Sequence, residues 1–142
     1  NSRISSHTFI CPKVTIGSNC FIGHGVMFTN DKFTNGKLNF EEKDWLPTLI
    51  GNNVLIGSNS TILPVRICND VVIGAGSVVT KNIKPYSIVA GNPARLIRMR
   101  FKDKVVDQLM EMSWWDWDHD TIGQRLKDFR ELSVESFIEK FS

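Results

Sequence analysis

An aliphatic residue returns every six positions along the first two thirds of this chain, and few folds can satisfy that spacing. Ile4, Ile10, Ile16, Ile22 and Phe28 follow one another without a break. A second register begins at Ile50, passes through Ile56 and Ile62, loses one residue between Pro64 and Val65, and resumes at Ile67, Ile73 and Val79. Two residues before these positions stand smaller or β-branched side chains, among them Thr8, Val14, Cys20 and Val26, then Val54, Ser60, Val65, Val71 and Ser77. Glycine follows at Gly17, Gly23, Gly51, Gly57 and Gly74. A helix needs its apolar residues three and four apart, and a meander of hairpins has no reason to hold a fixed six over such a length. The spacing therefore predicts an all-β solenoid of short flat strands and tight corners. Its aliphatic residues stack inward from coil to coil at about the 4.8 Å spacing of paired strands, and its glycines give the corners their backbone freedom.

The repeat breaks between residues 29 and 47. Polar Asn30, Asp31, Glu41, Glu42 and Asp44 are interleaved there with Phe33, Leu38, Phe40 and Trp45. A long excursion from a regular scaffold is usually functional, and four large apolar groups predict that this one docks on something. After Asn92-Pro93 the period becomes helical. Asp103 is expected to cap a helix carrying Val105, Val106, Leu109, Met110 and Met112, and Asp120 a second one carrying Ile122, Leu126 and Phe129, with a third from Ser133 to Phe141. The run Trp114-Trp115-Asp116-Trp117 is expected to pack over an open end of the solenoid. The expected division is a β-helical domain over 1–97, with its extruded loop at 29–47, and a helical cap over 98–142.

Seventeen Lys and Arg against fifteen Asp and Glu leave a net charge of +2, too little for a general field that would hold nucleic acid or an anionic membrane. No apolar run approaches the ~20 residues that span a bilayer, and no charged-then-apolar leader is present; the expectation is a cytoplasmic protein. Cys11, Cys20 and Cys68 are odd in number and form no CxxC pair, against both a disulfide framework and a zinc knuckle.

The stretch Ile73-Gly-Ala-Gly-Ser-Val-Val-Thr-Lys-Asn-Ile-Lys-Pro-Tyr-Ser-Ile-Val-Ala-Gly-Asn-Pro-Ala-Arg-Leu-Ile-Arg98 resembles the last coil of the hexapeptide-repeat acetyltransferases, and the resemblance spans residues 4 to 97. In that family three hexads make one coil of a left-handed parallel β-helix, so the resemblance implies that fold, with a short C-terminal helical cap. It also implies acetyl-coenzyme A as co-substrate without a metal, lying along the coils between subunits of a homotrimer. Gly57, Ser58, Gly74, Ala75 and Gly76 match the corner positions where the pantetheine arm meets the backbone. Thr80, Lys81, Arg95 and Arg98 match the positions near the adenine and phosphates, and guanidinium and ammonium donors suit phosphate oxygens. A γ-type carbonic anhydrase shares the solenoid but needs three zinc-binding histidines on adjacent coils, which His7 and His24 cannot supply.

Acetyl transfer needs an uncharged nucleophile, stabilisation of an oxyanion and a destination for a proton. Of the three histidines, His7 and His119 read as surface residues, and His24 lies directly before the loop. The galactoside and maltose branches of the family carry a catalytic histidine in the coil after the loop, where this chain has Asn59. The streptogramin and chloramphenicol branch carries it in the loop, and residues 29 to 47 hold none, although the tryptophan tail resembles that branch. Gly23-His-Gly-Val-Met-Phe-Thr-Asn-Asp31, with Asp44-Trp45-Leu46-Pro47-Thr48 closing the loop, instead resembles acetyltransferases of nucleotide-linked amino sugars. That resemblance implies N-acetylation of a 3-amino-deoxyhexose for surface polysaccharide. A sugar amine with a pKa near the ~8 of an α-amino group is already partly neutral, so a strong base is optional. The candidate catalytic residues are Asn30 and Asp31, orienting the acceptor, and His24 as base or proton relay. The Gly57 N–H is a candidate oxyanion donor, and Phe33 or Trp45 a platform for the nucleotide. The alternative is an O-acetyltransferase acting on a polysaccharide, a sugar or an antibiotic.

Overall fold

The hexads fold into short strands that visit three ladders in turn. The computed structural model describes residues 1–33 and 36–141, and the chain divides into two compact units, Asn1–Arg100 and Phe101–Ser142. In the first unit, ladder A joins β1 (Arg3–Ile4), β3 (Phe21–Ile22), β6 (Leu55–Ile56), β9 (Val72–Ile73), β11 (Ser87–Ala90) and β12 (Arg95–Met99). Ladder B joins β4 (Met27–Phe28), β7 (Thr61–Ile62) and β10 (Val78–Val79); ladder C joins β2 (Val14–Ile16), β5 (Thr48–Ile50) and β8 (Arg66–Ile67). Bridges from Phe9 to Met27 and from Ile67 to Ile83 extend ladders B and C. Every pairing is parallel except that of β12 with β11.

The register places hexad residues directly over one another: Ile4 on Ile22, Ile22 on Ile56, Ile56 on Ile73, and Phe28 on Ile62. These aliphatics, with Val26, Val54 and Val71 two residues before theirs, form the core, and Ile22, Ile56, Ile62, Ile67 and Val79 are wholly buried. The first coil differs from expectation, since Ile4 remains 48% and Ile10 38% exposed where no coil stacks before them. Buried Ser60 and Ser77 fit among the aliphatics because their hydroxyls donate to Gly57 O (2.8 Å) and Gly74 O (2.6 Å).

The glycines serve a different purpose from the one expected. Gly17, Gly23, Gly51, Gly57 and Gly74 do not have positive φ. They are small because the next coil lies where a side chain would begin: a Cβ on Gly23 would stand 2.6 Å from Ser58 N, and one on Gly57 would collide with the Ala75 peptide. The left-handed corner falls two residues later, where Asn19, Gly25, Asn53, Asn59, Asp70 and Gly76 have φ between 56° and 68°. Asn and Asp tolerate that region better than other side-chain-bearing residues. Asparagines also link the coils, with Asn52 and Asn69 side-chain oxygens accepting from the Ser18 and Asn52 amides at 2.8 and 2.9 Å.

The helical period sets in later than expected, because β12 continues the sheet to Met99 and the first unit ends at Arg100. Arg95 faces Ala90 and Leu96 faces Val89, but Arg98 faces Ile88, so Ile97 is an extra residue. This bulge restores alternation. Arg95 and Arg98, three apart, thereby lie beside the half-buried Ala90 and Ile88 rather than the buried Val89 and Ser87, and they share one face.

The second unit comprises α1 (Asp103–Met112), α2 (His119–Glu131) and α3 (Val134–Phe141). Two expected caps are corrected. Asp103 is the first helical residue of α1 rather than its cap, and the N-cap of α2 is Asp118, whose carboxylate accepts from the Thr121 amide (2.8 Å) and hydroxyl (2.6 Å). Asp120 sits within the first turn. Trp117 packs in this unit against Phe129, Phe137 and Phe141, with the Arg125 guanidinium 4.2 Å from the Trp117 ring and 4.3 Å from that of Phe141. No helix among the described residues is long and apolar enough to cross a membrane.

Candidate functional site

The corner between ladders A and B collects most of the expected site residues in one column. Its turns stack through backbone bonds from Gly25 N to Ser6 O (3.1 Å), Asn59 N to His24 O (2.8 Å) and Gly76 N to Ser58 O (2.8 Å). His24, Ser58 and Ala75 thus occupy equivalent places on successive coils, with Gly57 and Gly74 just inside them. Ala90 continues the column, its Cβ 2.8 Å from where a Cβ on Gly74 would stand, and Arg95 is its strand partner. Four strand steps, from β3 through β6, β9 and β11 to β12, put His24 and Arg95 roughly 19 Å apart along the column. No bulky side chain intervenes, and a Cβ on Gly76 would meet nothing within 4 Å. A long thin ligand with phosphates at one end and a reactive group at the other fits this corner.

His24 is exposed, and its Nδ1 lies 3.0 Å from Ser6 Oγ. With Nδ1–H donating to Ser6, the lone pair sits on Nε2, the tautomer a proton acceptor requires. Ser6 was not anticipated, although the hexad period holds its signal: it stands three hexads before His24. The Gly57 oxyanion donor is corrected, because its N–H is spent on Ile73 O at 2.8 Å. The corner amides of Ser58 and Ala75, like that of His24, make no backbone hydrogen bond among the described residues.

Asn30 and Asp31 stand at a different corner, between ladders B and C, separated from His24 by β4. Thr80 and Lys81 follow β10 to that same corner, two coils on. Within one chain the structure therefore does not bring His24 together with Asn30 and Asp31. Asp31 is buried, its carboxylate accepting from the Asn39 amide (2.9 Å), the Phe33 amide (2.8 Å) and the Asn39 side chain (3.1 Å). These donors, the Asn39 amide foremost, hold its pKa below the usual carboxylate range. Trp45 Nε1 donates to Asn39 O at 2.8 Å, and Asn30 O accepts from the Leu46 amide at 3.1 Å. Asp31 therefore organises the loop, while the Asn30 side chain makes no hydrogen bond among the described residues. Phe33, Leu38 and Phe40 remain exposed; the loop's residues 34 and 35 lie outside the described residues.

Arg95 and Arg98 are exposed on β12, and their guanidinium groups reach no further than carbonyls of adjacent residues, Ala94 O at 3.4 Å and Met99 O at 3.2 Å. Among the described residues no group of three or more His, Cys, Asp and Glu side chains could hold a metal ion.

Comparison with known proteins agrees with this arrangement. The family model described as the hexapeptide repeat of succinyl-transferase matches residues 13–27 and 47–81. A probable macrolide acetyltransferase of Lysinibacillus sphaericus is 35% identical over 158 aligned positions, covering 96% of this chain and 88% of that protein. The hexapeptide-repeat acetyltransferase of Vibrio cholerae, solved with acetyl coenzyme A, is 28% identical with a TM-score of 0.51, over 63% of this chain and 50% of that one. AntD, an N-acyltransferase of Bacillus cereus solved with dTDP-4-amino-4,6-dideoxyglucose and coenzyme A, has a TM-score of 0.59 at 23% identity, over 78% of this chain and 66% of that one, a likeness of fold. The chain belongs to the hexapeptide-repeat acetyltransferase family, with acetyl-coenzyme A as co-substrate. It spans between 36% and 63% of the length of the chloramphenicol acetyltransferases it also matches.

Proposed function

We propose that this chain transfers an acetyl group from acetyl-coenzyme A to the amine of a nucleotide-linked amino sugar, working as a homotrimer of left-handed β-helices. The observation that carries the reading is the corner column from His24 through Ser58 and Ala75 to Arg95. It offers backbone groups and small side chains along its length, guanidinium groups at one end and an imidazole at the other. Gly57, Ser58, Gly74, Ala75 and Gly76 line the pantetheine arm, and Arg95 and Arg98 take phosphate oxygens. Thr80 and Lys81, at the other corner, approach the nucleotide end of a neighbouring copy's ligand.

The acceptor amine attacks the thioester carbonyl, a C–N bond forms, the C–S bond breaks, and the amine's proton passes to His24 Nε2 or to the departing thiolate. The shortage of strong bases favours an amine: among the described residues the corner between ladders A and B holds His7 and His24 as its histidines, and the His24 ring bonds Ser6 Oγ rather than a carboxylate. An alcohol would need firmer activation. The separation of His24 from Asn30 supports an assembly in which one copy supplies the first and its neighbour the second.

O-acetylation of an antibiotic is the second reading, supported by the macrolide acetyltransferase likeness over nearly the whole chain. Calorimetric titration with acetyl-coenzyme A comes first. Micromolar binding, weakened at least tenfold in Arg95→Ala/Arg98→Ala, is expected; unaltered binding would remove the assigned phosphate site. Turnover with dTDP-4-amino-4,6-dideoxyglucose and with a macrolide then separates amine from hydroxyl acceptors.

A further inference from the structure

The loop over 29–47 leaves the coils at the corner between ladders B and C and returns at β5, and its outward limb is secured by Asp31, Asn39 and Trp45. Its return limb is tied to the outward limb by the Leu46 amide on Asn30 O, and to the coils by one residue of the preceding coil. Lys13 Nζ donates to the carbonyls of Glu42 and Trp45, the latter at 3.0 Å, and Lys13 O accepts from the Thr48 amide at 3.0 Å. The same residue therefore fixes the point where the loop rejoins the ladder, the first carbonyl of the short 3₁₀ turn Glu42–Asp44 and the carbonyl of its C-cap, Trp45.

Lys13 takes the left-handed corner of its hexad, six residues before Asn19, with φ 65°, and one feature argues that the use of its ammonium is not incidental. Acidic Glu41, Glu42 and Asp44 are within the same short stretch, yet the ammonium bonds backbone carbonyls and forms no ion pair among the described residues. A contact with backbone fixes the path of the chain, whereas a contact with a flexible carboxylate would fix only a side chain.

We propose that Lys13 is a positioning residue for the acceptor: it holds the return limb so that Trp45, tied to Asn39 and through it to Asp31, keeps Asn30 and the open faces of Phe33 and Phe40 in one arrangement. The two limbs meet in the Trp45 indole and in the Leu46–Asn30 backbone bond, and losing the Lys13 hold leaves them tied to each other but not to the preceding coil through the ammonium. Acceptor binding then costs the ordering of the loop, while the coenzyme column, on the other corner, is untouched. This inference rests on the reading of the loop as the acceptor's side of the site.

The experiment compares Lys13→Met, which keeps the stem, and Lys13→Arg, whose guanidinium can again donate to two carbonyls, with the unaltered chain. KM and kcat are measured with dTDP-4-amino-4,6-dideoxyglucose and with a macrolide, and acetyl-coenzyme A affinity by calorimetry. Lys13→Met is expected to raise the KM of whichever acceptor is used about three- to tenfold, with kcat and coenzyme affinity within twofold, and Lys13→Arg to recover most of the loss. Amide hydrogen exchange, needing no acceptor, is expected to quicken across 39–46 and not in ladders A to C. An unchanged KM, a parallel fall in coenzyme affinity, or unaltered exchange over 39–46 overturns the proposal. Failure of the unaltered chain to use either acceptor overturns the acceptor reading instead, and is told apart because it arises without any substitution.

Discussion

Gly57 and Gly76 lie at the same corner and are required for different reasons. At Gly57 φ is not positive, but a side chain would enter the Ala75 peptide of the next coil; at Gly76 the space is open, but φ is 68°. Gly57→Ala must push two coils apart and is expected to destabilise the chain by about 2–3 kcal/mol, the range of overpacked interiors. Gly76→Ala needs only a left-handed alanine, a loss of about 1–2 kcal/mol. Urea unfolding followed by circular dichroism would measure both, and equal losses would mean that the stacking argument is wrong. For coenzyme binding the order reverses. The Gly76 methyl would point into the open corner and is expected to weaken acetyl-coenzyme A more than the buried Gly57 methyl does among molecules that remain folded.

At the scale of elements, the caps determine where the helices begin. Asp118 accepts two bonds from Thr121, and these hold its pKa below the ordinary carboxylate value, the Thr121 hydroxyl first and its amide second. A depressed pKa contributes stability that is present above the unfolded value and is lost as pH falls through the folded one. Helicity of the second unit is therefore expected to decline as the medium is acidified below the usual carboxylate range. Asp118→Asn should keep the cap with a flatter acid dependence, and Asp118→Ala should lower helicity at neutral pH as well. Far-UV circular dichroism at pH 7 and pH 3 would decide, and an unchanged Asp118→Ala spectrum would deny the cap its role. The spacing Asp118-x-x-Thr121 was present in the sequence, but Asp120, one residue after His119, competes for the same reading. Strand β12 was hidden for a related reason. The bulge at Ile97 puts Arg95 and Arg98 three apart, a helical interval, and only pairing with β11 reveals a strand. The coils were legible because a period of six with inward aliphatics leaves no other solution. The alignment of His24, Ser58 and Ala75 in one column was legible because equivalent hexads must stack. The loop's internal bonds were not, since the reach of Asp31 to Asn39 follows from no repeat.

For the whole molecule, the decisive fact is that ladder B lies between the two corners proposed to carry the site. Three copies arranged about a three-fold axis with ladder B turned inward would bring the A–B corner of each against the B–C corner of the next. His24 and the coenzyme column of one copy would then meet Asn30, Lys81 and the loop of its neighbour, and three-fold closure would make three equal sites. The outward side chains of ladder B suit burial. Phe9 is 57% and Met27 43% exposed, in register through the bridge between them, with Thr61 and Val78 continuing the column. Ladder C instead presents Thr15, Leu49 and Arg66 outward, a more polar set. Met27→Glu would place three carboxylates around the axis, with like charges facing one another in a desolvated setting. It is expected to convert a species of three times 16.1 kDa into monomer in sedimentation velocity. The monomer should retain the β-sheet circular dichroism of the unaltered chain, since Met27 lies outside the core, but lose acetyl transfer, since neither corner holds a whole site. A Met27→Glu chain that stays trimeric would show that ladder B does not face the axis. One that becomes monomeric and still transfers acetyl would show that a single chain completes the site, and the assignment of Asn30 to the neighbour would fall with it.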